Sequence, residues 1–166
     1  MNAGKKLEGI FAKLDERIKA LNRERREEGM LGATKVEVRL LGQMSLLVNQ
    51  EAAATLSLAQ TADLDAFLLI DSFVKDEFKK ILAEEGLVYD EDSHLIWIPE
   101  GAHFDKVFSF QNILVLSVDP ESALVSKAVK APQKNKQLIR EAIASGAFPK
   151  LVDRILSSGG DLEQFT

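Results

Sequence analysis

Ten residues near the middle of the chain, Thr61-Ala62-Asp63-Leu64-Asp65-Ala66-Phe67-Leu68-Leu69-Ile70, most restrict what it can fold into. Two acids open the stretch and an unbroken apolar run closes it. Such a run, bounded by polar residues, predicts a buried strand. Side chains alternate along a strand, so Asp63 and Asp65 are expected on one face, at its mouth. A like charge a few ångströms away raises a carboxylate's pKa, and a divalent cation removes the conflict. Magnesium suits such a pair, because it takes one or two carboxylates and completes its shell with water and phosphate oxygens. Aspartate is also common at strand starts and turns without any ligand, so the tripeptide needs support from its surroundings.

A chain of 166 residues, 46% apolar, suits one domain with an ample core and a helical extension. It has no cysteine, which excludes disulfides, cysteine-ligated zinc, iron–sulfur clusters and thiol catalysis. Met1-Asn2-Ala3-Gly4-Lys5-Lys6 has no apolar segment behind its lysines, so no signal peptide is expected. No apolar run reaches the roughly 18 residues of a membrane span. The expectation is a cytoplasmic protein with no membrane partner. Its net charge of −5 is unevenly spread. Acids dominate from Asp63 to Asp105, whereas Lys127, Lys130, Lys134, Lys136, Arg140, Lys150 and Arg154 face only Glu141 and Asp153. An acidic zone that could hold a cation, then a basic zone that could hold phosphate, suits a nucleotide-handling enzyme. Each charge taken singly also fits a solvated helix face.

Lys5 to Glu28 reads as an amphipathic helix, with Leu7, Ile10, Phe11, Leu14, Ile18 and Leu21 at helical spacing. Its apolar stripe could also pair two copies of the chain. Thr34 to Leu41 alternates as a strand with one wet face, and Gly42 leads from it into a helix over Gln43 to Glu51. A strand passing through glycine into a helix leaves free backbone N–H groups, a ready phosphate site, to which Ser45 would add a hydroxyl. After the acidic strand, Asp71-Ser72 caps a helix over Phe73 to Glu85. Leu87-Val88-Tyr89 and His94 to Ile98 read as a hairpin, and Asp105 to Phe110 and Ile113 to Val118 as the last strands. Asp119-Pro120-Glu121 opens a helix ending at Lys130, followed by helices over Lys134 to Ala144 and Phe148 to Leu156. The fold class expected is mixed α/β (α+β), a mixed central sheet flanked by helices with a helical C-terminal extension. The parts are a helix over 1–29, a core over 30–119, a helical segment over 120–158 and a mobile tail over 159–166.

Strand, Gly42, helix, then Thr61-x-Asp63-x-Asp65 opening the next strand resembles the polymerase-beta-type nucleotidyltransferase superfamily. The likeness is to its small bacterial branch of uncharacterised and abortive-infection-toxin-like proteins. Val118-Asp119-Pro120-Glu121-Ser122-Ala123-Leu124-Val125-Ser126-Lys127 also resembles that branch, where a Pro-acid pair opens a helix ending in a Ser-Lys-like step. The resemblance spans roughly Val36 to Leu156. It implies a nucleotidyltransferase-like core moving a nucleotidyl group from a nucleoside triphosphate to an RNA, protein or small-molecule hydroxyl, as the toxin of a toxin–antitoxin pair with an antitoxin partner. Asp63 and Asp65, with Asp105 as third carboxylate, would hold magnesium and act catalytically. Gly42, Gln43, Ser45 and Lys127 would bind the nucleotide. The chain departs from the pattern in having Gly42-Gln43 for the usual glycine pair and Gln60 where an arginine is frequent. An inactive member acting as a binding module is the alternative. His94 and His103 lack zinc spacing, Trp97 reads as core, and no Walker loop, dinucleotide fingerprint or nucleophile elbow is present.

Overall fold

The structure, a computed structural model, describes residues 2–166. Among the described residues there are seven α-helices and a mixed four-stranded sheet. The first helix, α1 (Ala3–Glu27), starts where Asn2 accepts the Lys5 N–H. Its stripe of Leu7, Ile10, Phe11, Leu14 and Ile18 is fully buried in the chain's own core, and Phe11 stacks on Phe78 with centroids 5.4 Å apart. The apolar face expected to serve a second copy is therefore occupied internally. Buried Asp15, on the same helix, accepts the Asn112 N–H at 2.7 Å and ties the helix to a turn of the sheet.

Strand β1 (Val36–Leu40) alternates as its sequence predicts, with Val36, Val38 and Leu40 buried. It continues through Leu41 into α2 (Gly42–Leu47). The helix expected over Gln43 to Glu51 is in fact two. Asn49 accepts the Ala52 N–H and opens α3 (Gln50–Thr55). The acidic stretch likewise splits into β2 (Asp63–Leu64) and β3 (Ala66–Leu69). Then come α4 (Ser72–Glu84), β4 (Val88–Tyr89), β5 (Phe104–Ser109) and β6 (Ile113–Val118). The order in the main sheet is β3-β1-β6-β5, with β1 parallel to β6 and antiparallel to β3. The face carrying Val36, Val38, Leu40, Ile113 and Val115 packs on α1 and α4, forming the first core.

The hairpin expected across Asp90 to Ser93 does not form. β4 pairs in parallel with β2, Ser93 to Leu95 make one 3₁₀ turn, and Ile96 to Ile98 lie outside any ladder. The Asp90 side chain accepts the Asp92 N–H and the Ser93 hydroxyl donates to the Asp90 carbonyl. These local bonds replace the ladder a hairpin would need.

Three helices complete the chain: α5 (Pro120–Lys130), α6 (Lys136–Ser145) and α7 (Leu151–Ser157). They form a second core with Leu41, Leu46, Leu56 and Val118. The end of the chain, expected as a tail, turns back on this core. Leu162–Phe165 is a 3₁₀ turn, Phe165 is buried, and Arg140 donates to the carbonyls of Phe165 and Thr166. Buried Asp119 joins the helical part to the sheet. It accepts the N–H groups of His103 and Ser122, each at 3.0 Å, and lies 3.8 Å from the Arg154 guanidinium, which also pairs with Glu121 at 3.0 Å. Among the described residues no helix is long and apolar enough to cross a membrane.

Burial works to raise the Asp119 pKa, but its hydrogen bonds outweigh burial and hold it below the ordinary value. Its stabilising contribution is therefore present above that value, 3.8, and lost as the pH falls through the lower folded-state value. Replacing Asp119 by alanine is expected to cost about 2–3 kcal/mol at neutral pH in a urea titration, from the lost cap and its bonds. The difference between variant and wild type should narrow as the pH is lowered below 3.8.

Candidate functional site

Asp65 lies at the break between β2 and β3. Its carbonyl accepts the Leu41 N–H at 2.9 Å, which starts the β3–β1 ladder. On one side Leu64 accepts the Asp90 N–H, and on the other the Ala66 N–H donates to the Ser93 hydroxyl. The chain thus changes sheet at Asp65, and the loop after β4 supplies the bonds that let it do so. Asp65 faces Gly42: a β-carbon added to Gly42 would stand 2.6 Å from Asp65 Oδ2. Gly42 also has φ +57°, a left-handed conformation side chains disfavour. The close approach at Gly42 in this structure is made by a protein carboxylate.

A cavity of about 490 Å³ opens in front of Asp65. Gly42, Asp65, Asp90, Lys127 and Lys134 line its charged part, and Leu95, Ile96, Trp97 and Ile98 its apolar wall. Helix α5 forms the floor with Ser122, Ala123, Ser126, Lys127 and Lys130, residues spaced to share one helical face. The Ser126 hydroxyl donates to the Trp97 carbonyl at 2.7 Å and so fixes the apolar wall to the floor. Lys130 Nζ stands 5.2 Å from the Trp97 ring centre.

The Asp65 pKa is pushed up to about 6. Burial is the main cause, followed by a hydrogen bond with the Asp90 carboxyl and the Asp90 charge. Lys127 pulls the other way, and Asp63 adds the smallest upward push. Asp65 Oδ1 is buried and has no hydrogen-bond partner among the described residues. Burial lowers the pKa of the Lys127 amine, the Lys134 charge lowers it further, and Asp65 opposes both. A buried acid beside a second carboxyl and a desolvated amine are groups whose environment works against their ordinary ionisation. Such groups concentrate at functional sites.

Of the residues singled out from the sequence, Asp65, Gly42 and Lys127 meet in this cavity. Asp63 is exposed on the rim side of β2, close enough for its charge to reach Asp65 but not part of the lining. Asp105 is not brought to them. It is exposed on β5, 3.2 Å from His103, and lines a different hollow with Asn49, Glu51 and Ser117. Ser45 is fully buried and donates to the Gly42 carbonyl at 2.6 Å, so its hydroxyl does not face the cavity. Gln43 binds the Ala59 carbonyl at 2.8 Å and faces a neighbouring hollow.

The sequence reading missed Asp90, Trp97, Lys134 and Asn135. Asp90 sat in an acid-rich segment read as a turn, and nothing in its spacing distinguished it from Glu91 or Asp92. Among the described residues no group of three or more Asp, Glu or His is placed to hold a metal ion. The donor set at the cavity is a pair, Asp65 and Asp90, with an unpartnered buried oxygen and a raised pKa that a cation would relieve. That set fits one hard cation completed by water and phosphate oxygens, and does not fit two ions bridged by three carboxylates.

Because its folded-state pKa is raised, Asp65 favours folding below pH 3.8, and that contribution fades as the pH rises through about 6. Asp65→Asn is therefore expected to raise the thermal midpoint above wild type at alkaline pH, with the gain shrinking toward pH 3.8 in a series of thermal melts. Gly42→Ala should cost about 1–3 kcal/mol from its left-handed backbone and its clash. In a double-mutant cycle Asp65→Ala should return the part due to the clash. No protein family, curated protein or solved structure matches this chain.

Proposed function

We propose that the cavity binds a nucleoside triphosphate and that the protein is a nucleotidyltransferase, moving the nucleotidyl group to a hydroxyl. The observation that carries this reading is the meeting of three unlike surfaces in one cleft. Asp65 lies against a glycine with Asp90 beside it, a desolvated lysine has no carboxylate partner within 4 Å among the described residues, and an aromatic wall lines the same cleft. A ligand that satisfies all three has a flat apolar body and an anionic chain able to carry a cation, which describes a nucleotide.

In that reading Trp97, Ile96 and Ile98 take the base, and Lys127 with Lys134 neutralises the phosphates. Asp65 and Asp90 would hold a magnesium ion, which when bound would supply charge stabilisation on the phosphates. Asp65, whose pKa is pushed up to about 6, would give up its proton as that cation binds. Lys127 stands within range of the Asp65 charge and keeps part of that carboxyl ionised. The same reading extends to a toxin role with an antitoxin partner only through the sequence resemblance. A second reading, nucleotide binding without transfer, is favoured by one observation: Asp105 lies outside the cleft, leaving two carboxylates for the chemistry.

Trp97 is the sole tryptophan and lines the cleft, so its fluorescence reports occupancy. Titration with ATP and magnesium should quench it with a dissociation constant of roughly 1 μM to 1 mM, the usual range for an enzyme's substrate. Asp65→Asn should remove the magnesium dependence, and Lys127→Ala should weaken binding about tenfold or more, a lost charge-assisted contact. An unchanged spectrum at saturating MgATP would sink the proposal. Transfer of α-labelled nucleotide to an acceptor then separates the enzyme from the binding module.

A further inference from the structure

Two hollows meet at Lys127. Beside the cleft lies a second one of about 300 Å³, with Lys127, Lys134 and Asn135 common to both. Its remaining polar lining is Gln43, Ser57, Gln60 and Thr61, and it contains no carboxylate and no aromatic residue. Asp65 and Asp90 line the cleft and not this hollow. Among the described residues neither Lys127 nor Lys134 has a carboxylate within 4 Å. The Lys134 charge works against the charged form of Lys127, as burial does, and Asp65 opposes both from the cleft side.

Two ammoniums brought to one hollow without a paired carboxylate set its sign. A cation is repelled there, a neutral ligand leaves both charges uncompensated, and an anion satisfies both. The rest of the lining can donate to one. Gln43 gives one amide N–H to the Ala59 carbonyl at 2.8 Å and Asn135 gives one to the Ala131 carbonyl at 2.9 Å, so each keeps a second N–H. The Thr61 hydroxyl accepts the Asp63 N–H at 3.1 Å and donates only a long bond, 3.4 Å, to the Asp63 carbonyl. The Ser57 and Gln60 side chains make no hydrogen bond among the described residues. Glu141 accepts the Ser57 N–H but is not part of the lining. The amide oxygens are uncharged dipoles and do not reverse the field of two full charges.

These donors come from α2, the loop before β2, α5 and the turn before α6, so they converge from several stretches of chain. A tetrahedral phosphoryl group can use that spread. Lysines serve it as point charges, whereas a flat carboxylate is best met by the fork of an arginine. A phosphate monoester carries a charge of about −1.5 to −2 at neutral pH, which two ammoniums match. We propose that the second hollow binds the phosphate of a monoester, a ligand separate from whatever fills the cleft. A triphosphate whose cation sits on Asp65 and Asp90 keeps the phosphates that hold the cation on the cleft side, and the donors of the hollow are left for another molecule. The site stands on its own lining, and only its pairing with a nucleotide rests on the reading above.

Calorimetric titration of the full chain compares glycerol 3-phosphate with glycerol, inorganic phosphate, acetate and succinate, with and without MgATP. Glycerol 3-phosphate should bind with a dissociation constant below about 1 mM, inorganic phosphate no more tightly, and glycerol and the two carboxylates about tenfold or more weakly than the ester. Saturating MgATP should leave the ester's affinity within about threefold. Gln60 is exposed and tests the sign of the site. Gln60→Glu should weaken the ester about tenfold or more and Gln60→Lys should strengthen it, opposite shifts that lost structure does not give. Thermal midpoints of the unliganded variants check that both are folded. An affinity weaker than about 1 mM, equal binding of the carboxylates, tighter binding of inorganic phosphate, or any other pair of shifts at Gln60 overturns the inference. So does displacement of glycerol 3-phosphate by MgATP, which places the end of the triphosphate itself in the hollow. Ester binding that persists where MgATP fails to bind supports this site and overturns the nucleotide reading, which keeps the two failures distinct.

Discussion

The structure depends most on where the Asp65 carboxyl is put. It is buried against a glycine, beside a second carboxyl, at a point where the chain leaves one small ladder and joins another. Each neighbouring feature answers a demand this placement creates. Gly42 has to lack a side chain, because a β-carbon would overlap the carboxylate. Ser93 has to reach the Ala66 N–H, because neither ladder supplies that bond. The loop after β4 has to stay close, which brings Asp90 to the same place. Burying a charged group without full hydrogen bonding is costly, and the raised pKa is the form that cost takes here. A fold selected for stability alone would be served better by an apolar residue at position 65.

Helix α5 connects that placement to the rest of the molecule. One of its faces contributes Leu124, Val125 and Ala128 to the second core, and the opposite face forms the cavity floor. Its start is fixed by Asp119, whose bonds reach back to the strand segment at His103 and forward to Ser122, with Arg154 of α7 alongside. Lys127 therefore stands opposite Asp65 because the second core and a buried cap hold the helix there. The lysine's desolvation follows from the same packing and does not require any dedicated partner.

Much of this was legible in the sequence where one local rule governs. The alternation of Val36, Val38 and Leu40, the helical spacing of Leu7 to Ile18, and the Asp-Pro opening of α5 each predict what is found. What could not be read depended on distant partners. The apolar run after Asp65 looks continuous, yet it is cut because Leu64 and Ala66 are claimed by different neighbours. His94 to Ile98 have strand-like residues, but Ser93 and Asp90 satisfy the backbone locally and the segment becomes a cavity wall. Trp97 has the composition of a core residue and is half-buried at a cleft. Asp105 matches a third carboxylate by its position at a strand start. Its place on the edge strand β5, paired opposite Ser117, keeps it with a different hollow.

The exclusion of Asp105 bears on what chemistry a cleft of this kind can perform. With three carboxylates, two cations can brace the entering and leaving oxygens of a displacement. With Asp65 and Asp90 alone, room exists for one cation, and positive charge elsewhere has to come from side chains. Lys127 and Lys134 supply it from the opposite wall. A lysine differs from a metal ion in two respects that matter here: it cannot lower the pKa of a bound hydroxyl by direct coordination, and its charge is tied to its own ionisation. The proton of an attacking hydroxyl would then have to be taken by a carboxylate rather than weakened by a metal. Asp65 could take that proton only where no cation holds it, because its pKa of about 6 belongs to the cation-free cleft, where burial and Asp90 set it. In such a site Asp65 and the desolvated Lys127 are not independent features, since the charge of each favours the ionised form of the other.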